Sequence, residues 1–239
     1  MLTLNQYREI NSLTDSGVFE KMIHTVSVIL GLDEYDVQNW DSDKLVREYN
    51  RVEKFTVVSE RYSNEIQIEG LNLSIIPFES LTLGQWIDVE SLVSSDYIGN
   101  LHEIAASVYL SNKGGGLYSD EWEQYGNINI KNRAQLIDEL PAQQTIGACV
   151  KYLRFRKNLF NSYELFNDPL EDVNPEELDP EELEIFNEEK AEREKVASNQ
   201  WERLLNLLSN NDITKFDSVL SQNLFLSLNQ ASYLKTLKS

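Results

Sequence analysis

Between Asp168 and Lys195 the chain carries thirteen acidic and three basic residues in 28 positions, together with three of its five prolines, Pro169, Pro175 and Pro180. A stretch of net charge −10 cannot enter a core, because burying unpaired carboxylates costs more than the few apolar residues between them return. The segment therefore separates the parts of the chain able to bury apolar surface, residues 1–167 and 199–239. Inside it, Asn174-Pro175-Glu176-Glu177-Leu178 and Asp179-Pro180-Glu181-Glu182-Leu183 each set a capping side chain before a proline at the first helical position. Lys190, Arg193 and Lys195 follow the acidic residues, the order that a helix dipole favours. Residues 168–198 read as an acidic Pro/Glu-rich linker that enters an exposed helix.

The remainder is only mildly acidic. All 239 residues hold 21 Lys+Arg against 40 Asp+Glu, a formal charge of −19, so the other 211 positions carry −9. A negative field repels phosphates and anionic headgroups, so direct nucleic-acid or membrane-surface binding is not expected. No apolar run approaches the roughly 18 residues of a membrane-spanning helix, Val26-Ser27-Val28-Ile29-Leu30 being a representative stretch. Met1 to Glu9 lacks the basic and apolar regions of a secretory signal. At 41% hydrophobic and 10% aromatic residues the composition is that of a folded protein. The one cysteine, Cys149, cannot close an internal disulfide, which fits a reducing compartment.

Two hydrophobic periods alternate along residues 1–167. Thr3 is placed to cap a helix through about Leu13; Val18 to Leu30 follows with Val18, Met22, Val26, Ile29 and Leu30 on one face, ended by Gly31. Asp41 then caps a helix carrying Leu45, Val46, Tyr49 and Val52. From Phe55 the period becomes two: Phe55-Thr56-Val57-Val58, then Glu65 to Glu69, a turn at Gly70, and Leu71 to Ile76, stopped by Pro77. A β-hairpin near 55–76 is expected, packed on helices because so little sheet is unstable alone.

Helical spacing resumes with Thr82 and Gln85 as a capping box for Leu83 to Val93, and with Leu101, Ile104, Ala105, Val108 and Tyr109 as a stripe over Ile98 to Leu110. An Asn/Gly-rich loop runs from Asn112 to Asn129, followed by a short helix from Arg133 to Leu140. A longer helix after Pro141 reaches about Asn167, with Tyr152, Phe155, Leu159, Tyr163 and Phe166 at steps of three and four. Beyond the linker, Trp201, Leu204, Leu205 and Leu208 form one apolar face, and helices over Ile213 to Leu220 and Leu224 to Leu237 close the chain. The expected fold is mainly α with a small β-hairpin (α+β): a helical body (1–167), the acidic linker (168–198) and a C-terminal helical arm (199–239).

Chemistry-bearing patterns are sparse. Gly114-Gly115-Gly116 has no following Lys-Ser/Thr and reads as a plain loop rather than a phosphate cradle. Two histidines, His24 and His102, and one cysteine supply no zinc spacing. Cys149 has no local base and reads as a small buried residue; His102, in Leu101-His102-Glu103-Ile104, reads as a helix-packing histidine. No catalytic, cofactor-binding or metal-ligating residue is assigned, and a non-enzymatic protein is expected. Lys151-Tyr152-Leu153-Arg154-Phe155-Arg156-Lys157 interleaves bases with aromatics as a single-strand nucleic-acid site does. Its aromatics continue at helical steps, so they read as a core face, with a basic face suited to acidic protein surface. The interface candidates are Trp201, Leu204, Leu205 and Leu208 on the arm, and Lys151, Arg154 and Lys157 on this basic face.

Ile68-Glu69-Gly70-Leu71-Asn72-Leu73, then Pro77-Phe78-Glu79-Ser80-Leu81-Thr82-Leu83-Gly84-Gln85-Trp86-Ile87-Asp88-Val89-Glu90, then Leu101-His102-Glu103-Ile104-Ala105-Ala106-Ser107-Val108-Tyr109 form a series over residues 55–166. This series resembles small structural and assembly proteins of tailed bacteriophages, notably of crAss-like phages, and in element order tail-assembly chaperones. The resemblance implies no catalytic residues. It implies a virion protein assembled in the host bacterial cytoplasm, a ring or adaptor at the head-to-tail connector or tail. Its implied partners are other phage structural proteins and copies of itself. The alternatives are a tail-assembly chaperone absent from the mature virion, whose compact pattern the acidic extension departs from, and an acidic host-directed regulator. Twenty-two asparagines against eight alanines fit an A/T-rich coding sequence.

Overall fold

A computed structural model describes residues 2–13, 16–56, 63–113, 122–163, 166 and 200–236. The protein is mainly α-helical with a small antiparallel sheet; eleven α-helices lie among the described residues. They divide into two compact units. One is built from Met1–Pro77 and Asp88–Leu153, the other from Phe78–Ile87 and Arg154–Ser239.

In the first unit, local capping sets the helices. Thr3 Oγ1 accepts from Gln6 N while Gln6 Oε1 accepts from Thr3 N, a reciprocal box that starts α1 (Leu4–Asn11). Helix α2 (Val18–Leu30) stops where Gly31 turns left-handed at φ 64°. A short α3 (Glu34–Gln38), which the periodicity did not announce, begins where Asp33 accepts from Tyr35 N. Asp41 caps α4 (Ser42–Val52) through Lys44 N. Ile23, Val26, Val37, Leu45 and Val52 form the core between these helices, with Met22, Ile29, Trp40 and Tyr49 packed against it. Val18 and Val46, expected on that face, are exposed.

The hairpin is smaller than expected at one end and larger at the other. Phe55 and Thr56 are not in a strand: a 3-10 turn, Glu53–Phe55, extends α4, and the Thr56 hydroxyl closes it by donating to Glu53 O at 2.7 Å. Val57 and Val58 lie outside the described residues. Strands β1 (Glu65–Ile68) and β2 (Leu71–Ile75) pair with Ile66 opposite Leu73 and Ile68 opposite Leu71. A third strand, β3 (Tyr109–Ser111), lies on the other side of β2, giving the order β1-β2-β3. Tyr109 and Leu110 were expected in a helix, but that helix, α6 (Leu101–Val108), ends one residue earlier. Tyr109 suits either state by local pattern; pairing with β2 decides, since three strands satisfy backbone groups that two leave open.

Helix α5 (Leu83–Asp96) starts where Thr82 Oγ1 accepts from Gln85 N. Asn129 caps α7 (Ile130–Asp138), three residues ahead of the expected start, and α8 (Ala142–Ser162) ends before Tyr163 and Phe166, so the aromatic stripe outlasts the helix. The division into units falls within α5 and α8.

The second unit contains the residues read as a C-terminal arm over 199–239. Its helices are α9 (Gln200–Ser209), α10 (Phe216–Leu220) and α11 (Leu224–Thr236). They fold together with Phe78–Ile87: Leu83 N donates to Gln222 O at 2.9 Å, and Leu224 N to Leu81 O at 2.8 Å. At Gly84 an added Cβ would sit 3.2 Å from Leu220 O, so glycine lets α5 approach α10. Trp86 is fully buried among rings, edge-on to Phe155 at 6.0 Å, Phe160 at 6.1 Å and Trp201 at 6.3 Å. Phe155 extends the cluster to Phe78 and Phe225. Residues 168–198, expected as linker and helix start, lie outside the described residues, as does Gly114-Gly115-Gly116.

Truncating a buried tryptophan leaves a cavity and removes its ring contacts. Trp86→Ala is expected to cost about 3–5 kcal/mol, read from urea unfolding followed by circular dichroism; a loss below about 1 kcal/mol would mean that the rings are not packed as described.

Candidate interaction site

Cys149, the two histidines and the buried carboxylates each make defined contacts. Cys149 is fully buried on α8, its Sγ 3.5 Å from Leu101 O, and burial pushes its thiol up to about 12, leaving it protonated at neutral pH. His24 bridges helices: Nδ1 meets Glu34 and Nε2 lies 3.1 Å from Glu9 O. Asp88 and Tyr125 share a hydrogen bond near Ser107; burial raises both, Asp88 above the usual carboxylate range and Tyr125 to about 12. Tyr152 OH donates to buried Glu90 at 3.0 Å.

His102 belongs to a half-buried ionic cluster. Arg8 Nη1 contacts both oxygens of Asp138, at 2.8 and 2.6 Å, tying α1 to α7, and His102 Nε2 lies 3.9 Å from Asp138 Oδ2. The buried Nε of Arg8 and Nδ1 of His102 have no hydrogen-bond partner among the described residues. Desolvation holds the His102 imidazolium below its ordinary value. Asp138 and Glu103 pull the other way, while Arg8 reinforces the lowering.

A cavity of about 210 Å³ opens beside the hairpin. Strand alternation places Ile68, Leu71 and Leu73 on one sheet face, and these side chains line it together with Ile128 and Leu136. Its polar wall is a two-pronged ion pair: Arg133 Nη1 reaches Glu123 Oε1 at 2.6 Å and Nη2 reaches Oε2 at 3.1 Å. Nη1 also donates to Tyr109 O, and Glu123 Oε1 accepts from Ser111 N, so the pair is fixed to β3. Glu69 is the third charged residue on the wall.

Glu69 and Gly70 form the two-residue hairpin turn, with φ 48° and 82°. Such a turn needs left-handed backbone at both places, which Asn-Gly supplies. A glutamate there costs about 1–2 kcal/mol. The Gly70 turn was readable from sequence; the Glu123–Arg133 pair was not, since a ten-residue separation across a loop carries no periodic signal.

The seven interface candidates fall into two sets. Leu204 is 8% exposed inside its own unit, Trp201 packs on Trp86 and Phe166, and Leu205 and Leu208 are half-buried, so this face is largely occupied by the chain itself. Lys151, Arg154 and Lys157 are exposed on α8, whereas Tyr152 and Leu159 are buried. Among the described residues no helix is long and apolar enough to cross a membrane, and no group of three or more His, Cys, Asp or Glu is arranged to hold a metal ion. No family model, curated protein or solved structure matches the chain.

A histidine whose folded value is lowered binds protons more readily when unfolded, so stability is full above about 6.5 and is lost as pH falls through that value. Between pH 7.5 and 5.5 the wild type is expected to lose more stability to urea than His102→Gln; an equal or larger loss in the variant would remove His102 as the cause.

Proposed function

We propose that this chain is a non-enzymatic subunit of a tailed-phage particle, a ring or adaptor at the head-to-tail connector or tail, working through repeated protein contacts. The observation that carries the assembly part of this reading is α11. Its Leu224, Leu228 and Ala231 are buried in the second unit, while Leu226 and Tyr233 are 60% and 63% exposed. Those two are seven residues apart, on one helix face, the spacing of anchors that seat in a partner's groove. A helix apolar on both sides is ordinarily covered on both sides. The phage assignment is supported by the sequence resemblance over residues 55–166, and the implied setting is the virion, built in the host cytoplasm.

Light scattering on the size-fractionated full chain, with mass spectrometry of purified particles, tests this. A defined oligomer present in particles is expected, and Leu226→Glu with Tyr233→Glu should shift it to monomer without loss of helicity. An oligomer abundant in infected cells but absent from particles would replace the ring with the assembly-chaperone role. A monomer absent from particles overturns both; salt-sensitive capture of a host DNA-binding protein would then favour the acidic regulator.

A further inference from the structure

We infer that the hairpin cavity is a socket for one apolar side chain of a partner protein, with Glu69 receiving a Lys or Arg beside it. This goes beyond the virion reading and does not rest on it. At about 210 Å³ the cavity is smaller than the roughly 300–1,000 Å³ of small-molecule sites. It has room for about seven waters at ~30 Å³ each, enough to admit an apolar side chain. Ile68, Leu71, Leu73 and Leu136 give it apolar walls, and Leu71 is 55% exposed at the rim, where an entering side chain would cover it.

Charge selects the neighbour of that side chain. Glu123 already neutralises Arg133 through both prongs of its guanidinium. Glu69 makes no ion pair among the described residues, so the net charge on the cavity wall is negative. Its backbone is also in the conformation that asparagine or glycine adopts more easily. A glutamate thus stands where turn chemistry alone would favour another residue, and it is one of the residues that line the cavity. A basic residue flanking an apolar one satisfies both features.

The test titrates methyl-labelled full-length protein with the peptide acetyl-Gly-Lys-Leu-Lys-Gly-amide, observed by NMR. Saturable shifts are expected at the methyls of Ile68, Leu71, Leu73 and Leu136. Binding should weaken by about threefold or more when both lysines are glutamate, and likewise when the leucine is serine. Glu69→Asn separates binding from folding: it should raise the urea midpoint by relieving the turn, yet lower the peptide affinity about threefold. Leu71→Ser, at an exposed rim position, should lower affinity with little change in midpoint. Absence of saturable shifts at these methyls, equal binding of the acidic peptide, or unchanged affinity in Glu69→Asn overturns the inference.

Discussion

The packing of rings around Trp86 is the contact on which the second unit depends. Three of its partners, Phe155, Phe160 and Trp201, come from chain segments 69 or more positions away, and each meets the indole edge-on, the arrangement that the ring quadrupole favours. The hydrogen bonds of Leu83 with Gln222 and of Leu224 with Leu81 fix the same segments through the backbone. A stretch of only ten residues from the middle of the chain, Phe78–Ile87, thereby becomes part of the core for helices near the C-terminus. The apolar face of Trp201, Leu204, Leu205 and Leu208 is largely used inside this unit, whereas Ile213, and Leu226 and Tyr233 on α11, are exposed.

The first unit relies on a different device. Short caps start most of its helices, and ion pairs that are mostly buried join elements distant in sequence: Arg8 with Asp138, and Arg133 with Glu123. Removing one member of such a pair strands the other in a poorly solvated place, so these pairs specify arrangement more than they add stability. The Arg133–Glu123 pair also spans the loop and fixes α7 against β3, which shapes the cavity beside the hairpin.

Sequence conveyed what is local. Thr3, Asp41 and Thr82 cap helices as their side chains dictate, Gly31 stops one, and the alternation over Glu65–Ile75 gives a hairpin whose register follows from a two-residue turn. What it hid is non-local. Tyr109 carries both helical and strand spacing, and only β2 decides between them. The acidic segment suggested a free arm beyond residue 199, because composition reports solubility and not where the next helices dock. Gly70 was legible as a turn residue, but Glu69, read as the end of a strand, was not legible as part of a cavity, since Leu136 and Arg133 arrive from 60 or more positions later.

The exposed face of α11 has a fixed shape only if the C-terminal helices are folded together with Phe78–Ile87. Hydrogen exchange resolved by peptide tests this most directly. Amides in Gln200–Ser209 and Leu224–Thr236 should exchange slowly in the wild type and lose protection in Trp86→Ala, while Val18–Leu30 keeps its own. Rapid exchange of both C-terminal helices in the wild type, or protection indifferent to Trp86, would contradict a unit built around that ring cluster.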